Sequence, residues 1–107
     1  MSAYFNTFRD SIVQISHCPD NYVPGLLQDV ELYDVAGLVA PRALFVESGT
    51  DDLIFPVDAA TQTVAALRQV YEHVGAADAI EHHLFAGEHQ WCGEGVEYFM
   101  QHWLGAP

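Results

Sequence analysis

Two short strand-like runs, the apolar Ala43 to Glu47 and the more polar Ile80 to Phe85, are separated by one long stretch of helical periodicity from Asp58 to Val74. This arrangement limits what the chain can become more than any other feature. In the central stretch Ala60, Val64, Leu67, Val70 or Tyr71 and Val74 recur on one helical face, with Asp58 as the predicted N-cap and Gly75 as the residue that closes the helix. The first flanking run is short, apolar and bounded by breakers, so it reads as a buried parallel strand, and Ile80 to Phe85 reads as a second strand. Strand, helix and strand in this order form a βαβ unit, whose crossover is right-handed in nearly all cases and makes the strands parallel. The fold class is therefore α/β.

The remaining segments give this unit little additional sheet. Residues 2–8 are aromatic and weakly alternating, suggesting an extended segment or strand end, and His17 to Gly25 is a loop because its prolines, Asp-Asn pair and glycine oppose regular structure. Leu26 to Val39 suits one or two short helices, and Gly95 to Leu104 a terminal helix with Val96, Phe99, Met100, Trp103 and Leu104 on its buried side. Two to three parallel strands leave exposed edges that invite pairing with another chain. The expectation is a single partial domain over residues 1–107, completed by oligomerisation or by a partner chain, with Tyr4, Phe5 and Phe8 as interface candidates.

Charge narrows the partners. A formal net charge of −12, with three arginines and no lysine, opposes binding to nucleic acid or to anionic lipid, both of which need cations to neutralise phosphate. No apolar run reaches the ~20 residues that span a bilayer, and the N-terminal residues lack a secretory pattern. A cytoplasmic location follows as the expectation, with Cys18 and Cys92 as free thiols.

The chemistry lies where the two strands end. After the first comes Glu47-Ser-Gly-Thr-Asp-Asp52, and after the second Phe85-Ala-Gly-Glu-His89. Parallel strands deliver their C-terminal ends to the face where α/β proteins bind ligands. A carboxylate from Asp51 or Asp52 could there orient the imidazole of His89, a residue type whose ordinary pKa of roughly 6.5 suits a general base. Acid before histidine is the chain order of Ser-His-Asp hydrolases built on α/β sheets, yet Gly-x-Ser-x-Gly, which would carry the serine, does not occur.

The blocks His17-Cys-Pro-Asp-Asn-Tyr-Val-Pro-Gly-Leu26, Tyr33-Asp-Val-Ala-Gly-Leu-Val-Ala-Pro-Arg42, Glu47-Ser-Gly-Thr-Asp-Asp-Leu-Ile-Phe-Pro56, Tyr71-Glu-His-Val-Gly-Ala76 and Phe85-Ala-Gly-Glu-His89 resemble the C-terminal half of α/β-hydrolases of the acetyl xylan esterase and dienelactone hydrolase type. The resemblance implies a partial α/β-hydrolase fold. It places the triad acid on Asp52, because Gly49 to Pro56 fits the pattern Gly-x-x-Asp-x-x-x-Pro, and the triad histidine on His89. Many relatives carry Gly-Gly-His where this chain has Gly87-Glu88-His89. The implied activity is hydrolysis of a small carboxylic ester, with a serine from outside this chain. The alternative is a non-catalytic dimerising or interaction module derived from such a hydrolase.

Within the chain, Ser48, Cys18 and Cys92 are the nucleophile types nearest the two turns, and none sits on a strand–elbow–helix turn. No cofactor is expected. No metal is expected either: HExxH and Cys-x-x-Cys are absent, and His82 and His83, adjacent on a strand, point to opposite faces.

Overall fold

The computed structural model describes residues 1–105. Its centre is a parallel pair of strands, β1 (Leu44–Gly49) and β2 (Ile80–Phe85), paired from Leu44 opposite Ile80 to Gly49 opposite Phe85. On the other edge of β1, Ser2 forms a single parallel bridge to Glu47, and the Ala3 N–H donates to the Glu47 carbonyl at 3.1 Å. The N-terminal segment is thus a one-bridge third strand, and β1 is the central strand among the described residues.

Four α-helices surround the pair: α1 (Leu26–Asp29), α2 (Leu32–Gly37), α3 (Val57–His73) and α4 (Val96–Leu104). The crossover helix α3 begins one residue earlier than its periodicity predicts. Pro56 takes the N-cap position and Asp58 falls in the first turn, where its negative charge complements the positive end of the helix dipole without capping it. Gly75, at φ +74°, closes the helix as expected. Leu26 to Val39 resolves into α1 and α2. Glu31 caps α2 in a reciprocal capping box with Asp34, and its carboxylate also accepts the Phe8 N–H at 2.7 Å, tying the entry segment to this helix.

The apolar core lies between the sheet and α3. Val46 and Ile80 on the strands meet Val64, Leu67 and Tyr71 on the helix, with Ala36 of α2 and Phe5 completing the cluster. The Tyr71 hydroxyl donates to the Arg42 carbonyl at 2.8 Å, so a fully buried aromatic ring keeps its polar group paired. The Tyr71 hydroxyl is held above its ordinary pKa by that burial.

Two expectations need correction. Phe5 and Phe8 are core residues, buried beneath their own chain, because the bridge at Ser2 turns the following segment back over the sheet. They are therefore not interface residues. In α4 only Phe99 is buried, whereas Met100 and Leu104 are exposed. A sheet this narrow offers one row of contacts, and Phe99 takes it by packing on Phe45 with ring centroids 5.4 Å apart. Among the described residues no helix is long and apolar enough to cross a membrane.

Candidate active site

The acid turn and the histidine turn are joined through their backbones before any side chain is considered. Beyond the paired strands, the Thr50 N–H donates to the Phe85 carbonyl and the Asp51 N–H to the Gly87 carbonyl, each at 2.9 Å. The ladder between β1 and β2 therefore continues into both loops. Gly49 lies at the point of closest approach: a Cβ there would overlap the carbonyl oxygens of Gly87 and Glu88. The glycine is needed for this contact, and the contact sets the path of the chain toward His89.

Asp52 is held from two sides. One carboxylate oxygen accepts the N–H groups of Ile54 and Phe55 at 2.8 and 2.9 Å, and the other lies 3.0 Å from Nδ1 of His89. The Asp52 side chain is only 2% exposed, while that of His89 is 43% exposed. A carboxylate cannot donate, so the contact assigns the proton to Nδ1 and leaves the Nε2 lone pair free on the solvent side of a neutral imidazole. Phe55 packs beside the ring at 5.3 Å between centroids. Asp52 is thus buried and anchored, and the His89 ring it contacts is accessible.

His89 faces a cleft of about 560 Å³. Its walls include Tyr4, His17, Cys18, Phe55 and Trp91. Tyr4, His17 and Phe55 form a mutually packed aromatic cluster, with centroids 5.1 to 5.9 Å apart. Cys18 N–H donates to Nδ1 of His17 at 3.0 Å, which turns that ring's other nitrogen into its donor. The sequence assigned His17 to Gly25 to a loop, with Cys18 weighed as a nucleophile type off any elbow turn. The loop's position on the wall of the His89 cleft comes from contacts far apart in the chain and left no local signal.

The other residues singled out from sequence are dispersed. Asp51 is exposed, with its carboxylate turned toward Thr50 at 3.5 Å. Ser48 is buried, its hydroxyl 3.1 Å from Nε2 of His82 on the side of the sheet that α3 covers. Burial, followed by the charges of Arg68 and His83, holds the His82 imidazole below its ordinary pKa. Cys92 is half-buried on the opposite face and lies near His83. Both cysteines are free thiols.

A parallel sheet with a crossover helix makes this an α/β protein, and its fold, with an aspartate–histidine pair at the C-terminal end of the sheet, is similar to that of an esterase-type hydrolase. Among solved structures, the chain is similar to a carbohydrate esterase family 15 (CE15) glucuronoyl esterase from Caldicellulosiruptor kristjansonii, with 25% identity and a TM-score of 0.61. The match covers 72% of this chain and 21% of that enzyme, so the chain corresponds to about a fifth of the enzyme's length. No protein-family model matches the sequence. No curated protein matches it either.

Proposed function

We propose that this chain supplies the acid and base arms of a carboxylic ester hydrolase, as a partial α/β-hydrolase domain completed by a second copy or by a chain bearing the serine. The observation that carries the reading is the Asp52–His89 hydrogen bond of 3.0 Å, with a buried acid and an exposed base. In the reaction, His89 Nε2 takes the proton of a serine hydroxyl as its oxygen attacks the ester carbonyl carbon. The imidazolium then returns that proton to the departing alkoxide, leaving an acyl-enzyme that water hydrolyses by the same route. Asp52 remains ionised throughout and stabilises the imidazolium.

Substrate class follows from the cleft. Its lining is mostly apolar and aromatic, and the basic side chains in it are those of His17 and His89, with no arginine. Ser2, Ser16, Asn21 and Gln90 add neutral hydrogen-bonding groups beside the aromatic surface, a lining that suits an uncharged ester. The lining supports the small neutral ester.

Hydrolysis of p-nitrophenyl acetate by the wild type, His89→Ala and Asp52→Asn proteins tests the proposal. Loss of general base catalysis lowers the rate by roughly 10²–10⁴-fold. Equal rates in all three proteins would reject the reading. Labelling with a serine-directed fluorophosphonate, followed by peptide mass mapping, locates the nucleophile in whichever chain carries it.

A non-catalytic interaction module is the second reading, and one observation favours it. Leu53 and Trp91, 91% and 71% exposed, flank the Asp52 and His89 turns and form an apolar rim that suits protein contact. Equal hydrolysis rates together with a stable dimer in light scattering would select it.

A further inference from the structure

On the α4 side of the sheet, His83, Cys92 and Glu94 bring three metal-compatible atoms, an imidazole nitrogen, a thiol sulfur and a carboxylate oxygen, within 4.8 Å of one another. These residues are separate from Asp52 and His89. We propose that they form a zinc-binding site that fastens the segment following the histidine turn to β2.

The donor set comes first. Imidazole, thiolate and carboxylate are all ligand types that zinc accepts, and three protein ligands leave a fourth tetrahedral position for water. At Zn–N and Zn–O distances of about 2.0–2.1 Å, a tetrahedron has edges of roughly 3.3–3.4 Å between those donors. His83 Nε2 and Glu94 Oε2 are 3.7 Å apart. That separation is too long for a hydrogen bond and within a few tenths of an ångström of a coordination edge. Cys92 Sγ lies within 4.8 Å of both atoms, against an edge of about 3.5 Å to a zinc-bound sulfur, so the loop carrying it closes onto the ion on binding.

The second observation is an unsatisfied atom. Nε2 of His83 is buried and has no hydrogen-bond partner. Buried polar atoms are normally paired, and one left unpaired is destabilising. A metal bond would remove that deficit. The ring is also fixed in place, stacked between Phe45 and Phe85 with interplanar angles of 21° and 15°. Its nitrogen is therefore directed by packing rather than by a local hydrogen bond.

The backbone carrying the other two ligands is organised by Glu47. This carboxylate, 1% exposed on the central strand, accepts the N–H groups of Cys92 and Gly93 at 3.2 and 2.9 Å. Gly93 and Gly95, at φ +75° and +83°, give Glu94 a turn of left-handed residues on either side, and Glu94 itself stays exposed and free to swing onto an ion. Zinc binding displaces the thiol proton of Cys92 to solvent as the Zn–S bond forms, so affinity falls as pH drops. From sequence, His82 and His83 point to opposite faces and do not share an ion, and no metal is expected. The structure uses only His83, and takes the remaining ligands from the loop before α4.

Metal-stripped protein titrated with Zn²⁺ by calorimetry, and with Co²⁺ by absorption spectroscopy, tests the site. The expected result is one ion per chain, a thiolate-to-cobalt charge-transfer band in the near ultraviolet, and a higher melting temperature with Zn²⁺. Cys92→Ala should abolish the band and weaken Zn²⁺ binding by roughly 100-fold or more, beyond the ~10–100-fold typical of a lost orienting partner. Glu94→Gln, at an exposed position that folding does not need, should weaken binding while leaving the band. Cys18→Ala should change neither. Absence of the band, or Zn²⁺ binding unchanged in both Cys92→Ala and Glu94→Gln, would overturn the proposal, as would loss of binding in Cys18→Ala alone.

Discussion

The two faces of the sheet are built on different principles. Toward α3, Val46 and Ile80 meet Val64, Leu67 and Tyr71 in an apolar core whose one buried phenol hydroxyl is paired. Toward α4, the same strands present Phe45, Glu47 and His83, and the cover is a loop and one helix that buries only Phe99. Burial on the first side comes mainly from hydrophobic area, alongside the Ser48–His82 contact. On the second it depends on a carboxylate that must be matched by specific N–H groups. The difference shows how a small sheet separates its tasks: one face supplies stability, and the other organises the loops that leave the strand ends.

If the α3 face is the stability core, truncation there should have the largest effect. Leu67→Ala removes a fully buried side chain and should cost about 2–5 kcal/mol, read as a lower urea midpoint. A loss below about 0.5 kcal/mol, the range of surface substitutions, would erase the distinction between the faces.

Glu47→Gln probes the other face and should cost less, about 1–3 kcal/mol, because the amide can accept only one of the two N–H groups that the carboxylate satisfies. The loss should be local, with faster amide exchange at Cys92 and Gly93. Uniformly faster exchange across α3 would mean that the two faces are not separable.

The smallest effect is the pH dependence contributed by His82. Burial holds this imidazole below its ordinary pKa in the folded protein, so the unfolded chain binds a proton at a higher pH than the folded one does. Stability should therefore be unaffected by this group above roughly pH 6.5, fall as the pH drops through that value, and level off below the folded-state pKa. His82→Gln should flatten that part of the profile in urea denaturation, leaving the contribution of the other histidines. An identical slope in both proteins would show that His82 titrates alike in the two states.

The sequence read the elements well where the physics is local. Helix α3 declared itself through apolar spacing at 64, 67 and 71, β1 through a short apolar run, β2 as the short segment following the helix, and Gly75 through its position after the last periodic residue. Boundaries moved by one or two residues because ends depend on which neighbouring group satisfies the last amides. The exposed side of α4 was misjudged. Periodicity shows that Met100 and Leu104 share a face with Phe99, but not whether a surface is present to cover them.

The candidate site divides along the same line. Residue types and strand ends alone pointed to an acid near positions 51 and 52 and a base at His89, and the family pattern favoured Asp52. That the carboxylate of Asp52 is buried against His89 while Asp51 faces solvent was decided by tertiary structure, through the Gly49 contact and the amides of Ile54 and Phe55. The placement of His17 and Cys18 on the cleft wall, the burial of Phe5 and Phe8, and the meeting of His83, Cys92 and Glu94 were likewise invisible in the chain. Helices and strands repeat because their hydrogen bonds and side-chain directions repeat. Contacts between loops have no period, so only the folded chain determines which of its reactive groups meet.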